Sequence, residues 1–280
     1  MAGVVEYLYD GYKYLFEDLV HPLSKDWFLV GRPYQIITLL AAYNFFCLRL
    51  GPWFMKDRKP YDLKNVIKIY NIFQILVSLY IFYVGCVYVF NKDFDFRCSP
   101  VDDPTSERAA MIVPNAYIFF IVKLIDLLDT VFFVLRKSFR QITFLHVHHH
   151  TMMPVVTWLG ITYFPGGQGV LIGHVNALVH AIMYSYYLIA GLGEEYKKYL
   201  WWKKYLTMLQ LVQFTIFIIQ GILSLFYDCG YPIFLKLLTI VYGATFINLF
   251  GKFYYNTYVK PNKNNSIQNG KSKVKTAKVN

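Results

Sequence analysis

Charge is scarce in this chain. Asp, Glu, Lys and Arg make up only 16% of its 280 residues, against about 25% in soluble domains. That deficit excludes an ordinary soluble globular protein. One alternate set of loops is poor in Lys and Arg, which argues against a random scatter of the basic residues that are present. The first 25 or so residues lack the basic start and apolar core of a signal peptide, so the first membrane helix is expected to direct insertion itself. No internal repeat and no second domain can be defended.

What fills the chain is hydrocarbon. Hydrophobic residues account for 56% and aromatics for 19%, and they gather in runs near 20 residues, the length that crosses a bilayer. Seven such runs are read, at about 30–48, 66–90, 111–135, 144–164, 168–190, 205–227 and 233–256. The fold class expected is all-α, a polytopic membrane protein with seven transmembrane helices in one domain (residues 1–260), followed by a disordered basic tail (261–280). Basic residues follow the odd-numbered runs: Lys56, Arg58, Lys59 and Lys64; Arg136, Lys137 and Arg140; Lys197, Lys198, Lys203 and Lys204; and the tail lysines. The opposite loops hold Asp93, Asp95, Asp102, Asp103, Glu107 and Asp228. The positive-inside rule then sets the N-terminus in the lumen or outside and the C-terminus in the cytosol. The net charge of +11 follows from this topology, and nucleic acid is not an expected partner. Cys47 and Cys86 fall within helices as small apolar residues, whereas Cys98 and Cys229 fall in non-cytosolic loops, where an oxidising lumen permits a disulfide between them.

Polar clusters interrupt four of the runs. Leu145-His146-Val147-His148-His149-His150 opens the fourth; on a helix, His146, His149 and His150 share one face and His148 points away. Ionisable groups at membrane depth mark functional sites by default. In the third run, Lys123-Leu124-Ile125-Asp126-Leu127-Leu128-Asp129-Thr130 sets two carboxylates three apart. In the fifth, Asn176 precedes His180 by one turn, with Tyr184 and Tyr187 beyond it; in the sixth, Thr207, Gln210 and Gln213 recur every three residues. Each cluster alone also reads as interhelical hydrogen-bonding glue or an interfacial tyrosine belt. His21 and His174, being solitary, read as structural. All four clusters, however, fall toward the cytosolic ends of their helices.

These four segments resemble the signatures of the very-long-chain fatty acid elongases, the membrane 3-oxoacyl-CoA synthases. The similarity extends to Gly51-Pro52, Arg58-Lys59-Pro60, Phe144-Leu145-His146-Val147 and Leu200-Trp201-Trp202-Lys203-Lys204. Asp126 stands where the family's Lys-x-x-Glu pattern has the longer carboxylate, and the C-terminus lacks paired lysines for retrieval. The resemblance implies residence in the endoplasmic reticulum membrane. It implies a barrel of helices two to seven around an acyl tunnel with the first helix outside, and condensation of acyl-CoA with malonyl-CoA without a cofactor or metal. By the family pattern, His149 and His180 are the reactive pair. We assign His149 as nucleophile and His180 as its proton-handling partner, with the reverse assignment as the alternative. His146, His150, Asp126, Asp129, Asn176 and Gln213 are expected to orient the imidazoles. Lys123, Arg136, Lys137, Arg140, Tyr187, Lys203 and Lys204 are expected to bind substrate, the cations of the loops holding the CoA phosphates. Activity should fall below the unperturbed histidine pKa of about 6.5 unless the site shifts it. Partners implied are the bilayer, the other enzymes of the elongation cycle and a second copy in a homodimer.

Two rivals share some of these features. Membrane di-iron desaturases and hydroxylases also use His-x-x-His-His, but they need about eight histidines in three or more boxes. This chain has seven in all and no second His-x-x-x-His box. A seven-helix receptor or transporter accounts for the helix count but leaves the in-register histidines unexplained.

Overall fold

The computed structural model describes residues 2–260, so the expected tail at 261–280 lies outside the described residues. Every regular element among those residues is helical. In chain order they are α1 (Ala2–Lys13), α2 (Pro33–Phe45), α3 (Gly51–Met55), α4 (Lys64–Val89), α5 (Glu107–Ile125), α6 (Leu128–Leu135), α7 (Phe144–Tyr163), α8 (Gln168–Gly191), α9 (Lys203–Leu225) and α10 (Ile233–Tyr254). A π-helical turn at Phe46–Leu50 joins α2 to α3. Pro33 sits at the start of α2, where its missing N–H costs nothing. Ser106 caps α5 by accepting from the Ala109 N–H, and Thr143 caps α7 by accepting from the His146 N–H. Thr143 therefore starts the histidine helix just before its first imidazole.

The apolar runs and the observed helices agree to within a few residues, with one correction. The third run, expected as one helix over 111–135, is two helices meeting at Asp126-Leu127. There the bonds shorten to i→i−3, from the Leu127 N–H to the Leu124 carbonyl and from the Asp129 N–H to the Asp126 carbonyl. This single 3₁₀ turn overwinds the chain beneath two buried polar side chains, a place where such tightening often marks a functional segment.

Four helical segments are long and apolar enough to cross a membrane: Pro33–Met55, Lys64–Val89, Lys203–Leu225 and Ile233–Val259. That is the pattern of a multi-pass membrane protein. Packing runs α5 on α4, α4 on α8, α8 on α9 and α9 on α10, while α7 packs on α5 and α2. Side chains link α10 back to α7, since the Phe246 ring lies 5.3 Å from that of His149. The α4–α8 contact is close because Gly85 lacks a side chain; a Cβ there would lie 2.5 Å from His174 Nδ1.

On the acidic-loop side, Cys98 and Cys229 are disulfide-bonded with Cα atoms 5.8 Å apart, across 131 residues of sequence. The α4–α5 loop is anchored further. Gln168 accepts from the Ser99 N–H at 2.7 Å and donates its own backbone N–H to the Ser99 carbonyl at 3.0 Å. Gly167, at φ +54° and tight against Pro100, makes that approach possible. Replacing both cysteines with serine should lower stability by about 2–5 kcal/mol. The check is the thermal unfolding midpoint of detergent-solubilised protein; an unchanged midpoint would show that the loop is held by the Gln168 contacts alone.

Candidate active site

A buried polar cluster forms where α5, α6, α8 and α4 meet. Lys123 is 2% exposed and pairs through Nζ with Asp126 Oδ2 at 3.2 Å. His180 closes a triangle with this pair, both ring nitrogens 3.5 Å from Lys123 Nζ and Nδ1 3.8 Å from Asp126 Oδ2. The second oxygen of Asp126 accepts from Gln74 Nε2 at 2.6 Å and from the Tyr184 hydroxyl at 3.1 Å. Tyr184 also reaches Asp129 Oδ2 at 2.8 Å. Both carboxylates thus converge on one phenol. Buried charges survive only when paired and hydrogen-bonded, and here every neighbour of Asp126 supplies a donor. Gln74 and Tyr184 reach Asp126 from α4 and α8.

The histidines of α7 stand beside this cluster. His146 and His150, one turn apart, have ring centroids 4.1 Å apart, and His149 and His150 lie at 5.4 Å. His148 instead stacks on Phe144 at 5.5 Å, so the face expected from helical spacing is the face observed. His146 Nε2 is 2.8 Å from Thr130 Oγ1. His149 also lines an apolar cavity of about 200 Å³. Its walls come from α4, α5, α7, α8, α9 and α10, mainly Ile81, Val84, Phe119, Phe214, Phe217, Leu235 and Leu238. Along α7 the lining runs from His149 to Ile161, a rise of roughly 18 Å at 1.5 Å per residue. It ends near Gly166 and Tyr231, beside the disulfide-bonded loops. Such a space, mostly hydrocarbon, with His149 toward the start of α7 and His174 farther along, suits a long apolar chain whose reacting carbon is at one end.

The family described as "ELO: GNS1/SUR4 family" matches residues 28–266. The chain belongs to this family. Among its relatives, "Very long chain fatty acid elongase 7" of Rattus norvegicus is 40% identical over 258 residues, covering 91% of this chain and 92% of the rat protein. The Drosophila melanogaster protein of the same name is 36% identical over 254 residues, 90% of this chain and 77% of the relative. "Very long chain fatty acid elongase 4" of Homo sapiens is 39% identical over 239 residues, 85% of this chain and 76% of the relative.

Within this ELO protein, several residues singled out from sequence sit differently from expectation. Asn176 and Gln213 line the cavity, yet neither hydrogen-bonds to an imidazole among the described residues; Asn176 Oδ1 and Gln213 Oε1 are buried without partners. They face the cavity as free acceptors and do not brace the histidines. Asp129 is bound to Tyr184 and not to a histidine. Lys123 lies deep in the cluster. Arg136 and Arg140 are exposed in the α6–α7 connection and Lys203 and Lys204 are exposed in the first turn of α9, whereas Lys137 donates to the Lys56 carbonyl at 3.0 Å, just past the end of α3. Tyr187 is 41% exposed and stacks edge-on against Tyr184. Among the described residues no group of three or more His, Cys, Asp or Glu is arranged to hold a metal ion.

Sequence reasoning passed over Tyr70 and Gln74, and named Tyr184 in the fifth-run cluster without a role at the site. The signal for the first two was a buried polar stripe on an otherwise apolar α4, with Asn71, Gln74 and Ser78 at helical spacing. Tyr43 and Thr130 were also missed as a pair, because nothing in the sequence brings α2 to α6.

Proposed function

We propose that this protein is a condensing enzyme of fatty acid elongation, joining a long-chain acyl-CoA to malonyl-CoA to give 3-oxoacyl-CoA, carbon dioxide and CoA. The observation that carries the reading is the apolar cavity headed by His149, next to the buried Lys123–Asp126–His180 cluster. The successive contacts of α4, α5, α7, α8, α9 and α10 support a barrel of helices two to seven around the acyl tunnel, in a chain that spans the membrane seven times. The loop charges support a lumenal N-terminus and cytosolic C-terminus in the endoplasmic reticulum.

In the first half-reaction a nitrogen of His149 attacks the acyl thioester carbonyl. An N–acyl bond forms, the C–S bond breaks, and the CoA thiolate leaves with the imidazole proton. In the second, malonyl-CoA loses carbon dioxide, and the resulting enolate carbon attacks the acyl group. As the new C–C bond forms the N–acyl bond breaks, and the departing His149 imidazolate takes up one proton from solvent, the proton that the overall condensation consumes. We assign stabilisation of the enolate charge to the N–H donors of His180 and Lys123, while the apolar walls keep water from the acyl-imidazole. The exposed Arg136, Arg140, Lys203 and Lys204 hold the CoA phosphates at the mouth.

The test is condensation itself. Purified protein given an acyl-CoA and malonyl-CoA should release carbon dioxide and form a product two carbons longer. Stoichiometric iron in the protein, with turnover abolished by chelation, would favour the di-iron reading instead. Replacing Lys203 and Lys204 with glutamine should raise KM for both CoA substrates several-fold at unchanged kcat, more steeply in low salt because exposed charges are screened. A change in folding yield alone would reduce these cations to topological markers.

A further inference from the structure

The first membrane helix is expected to lie outside the barrel, yet one of its side chains reaches the histidine face. The Tyr43 hydroxyl is 2.6 Å from Thr130 Oγ1, which is 2.8 Å from His146 Nε2. Tyr43 is 8% exposed and Thr130 0%, so water does not interrupt the sequence of contacts. Two hydroxyls and an imidazole nitrogen in a row can order their protons in two ways. A phenol, with a pKa near 10, is a far better donor than an aliphatic hydroxyl. The favoured order is therefore Tyr43 O–H donating to Thr130, and Thr130 O–H donating to the lone pair of His146 Nε2. Each hydroxyl then uses its single proton once, and His146 keeps its proton on Nδ1. The ring nearest to His146 on its helix is that of His150, 4.1 Å away, whose own Nδ1 is buried without a partner.

We propose that Tyr43, acting through Thr130, is a positioning residue that fixes the tautomer of His146 and so orients the His146–His150–His149 face for acyl transfer. The inference rests on the condensing-enzyme reading and extends the working site to a helix outside the six that line the cavity. It makes the Thr130 hydroxyl a two-way connector, which valine, though similar in shape, cannot replace.

The experiment uses full-length protein in lipid nanodiscs, with initial rates for both substrates. Tyr43→Phe should lower kcat about tenfold, the fold-change of one lost buried hydrogen bond, with both KM values within twofold of wild type. Thr130→Val should do the same and Thr130→Ser should restore the rate. The double variant Tyr43→Phe/Thr130→Val should be no slower than Thr130→Val alone, because one relay is broken only once. Unchanged kcat in Tyr43→Phe, multiplicative losses in the double variant, or Thr130→Ser as slow as Thr130→Val would each overturn the proposal. Should Tyr43→Phe fail to fold, 3-fluorotyrosine at that position keeps ring and hydroxyl while changing donor strength; an unchanged kcat there would overturn it as well. A readout independent of turnover separates this proposal from the functional reading. In ¹⁵N-histidine-labelled protein, the unprotonated Nε2 resonance that disappears in His146→Gln should shift in Tyr43→Phe. Wild-type protein that makes no 3-oxoacyl-CoA overturns the condensing-enzyme reading, whereas an unmoved resonance overturns the relay.

Discussion

Replacing His149 with alanine should abolish condensation, by at least about three orders of magnitude as for other covalent nucleophiles, and should eliminate any acyl-enzyme. His148→Ala should stay within about threefold of wild type. The contrast arises from one residue of helical register. His149 opens onto the apolar cavity, whereas the His148 ring lies flat on Phe144 at an interplanar angle of 13°. The measurement is radiolabelled carbon dioxide release, paired with intact mass of acid-quenched protein after acyl-CoA alone. An acyl adduct that persists in His149→Ala and is lost in His180→Ala would exchange the two roles. Equal damage from His148→Ala would mean that the reacting face of α7 is not the one turned to the cavity.

The second large effect concerns the buried ion pair. Asp126→Ala leaves Lys123 as an uncompensated ammonium with 2% exposure, and removing one partner of such a pair costs about 3–5 kcal/mol. Expression of folded protein and activity should both collapse. The double variant Lys123→Met/Asp126→Leu removes both charges in apolar groups of similar size, and such replacements are often neutral or stabilising. It should recover folding, read as a monodisperse peak with a near-normal thermal midpoint, but not turnover. Recovery of turnover as well would show that the pair is scaffolding and that His180 works without it.

The extent to which this molecule was legible in its sequence depended on the range of the interactions involved. Helix extents followed from apolar run length, because a helix satisfies every backbone group within its own segment in hydrocarbon, and the runs stayed helical through Pro114 and Pro154. The face shared by His146, His149 and His150 followed from 3.6-residue periodicity, which is local. The overwound turn at Asp126-Leu127 did not, since an αR backbone with shortened hydrogen bonds leaves no mark in composition. Nor did the partners of Asp126: Gln74 is 52 residues away in sequence and Tyr184 is 58, and only the packing of α4 and α8 brings them together. Asn176 and Gln213 were recognised as members of the site from their position, but their bonding depended on rotamers that spacing does not specify. The hydrogen bond from Lys137 to the Lys56 carbonyl was likewise hidden, because the two residues are 81 apart in sequence.

The disulfide has a consequence for biosynthesis. Cys98 is made 131 residues before Cys229, so at roughly 5–20 residues per second it waits about 7–26 s for its partner. Throughout that interval it is a free thiol, while α5 to α9 are still emerging. The two other cysteines lie within helical segments, Cys47 in the π-helical turn after α2 and Cys86 in α4, and offer it no loop sulfur. The bond therefore forms only after the chain up to the α9–α10 turn has been delivered to the same side of the membrane. It is a late bond, tying a loop made early to a turn made near the end of synthesis.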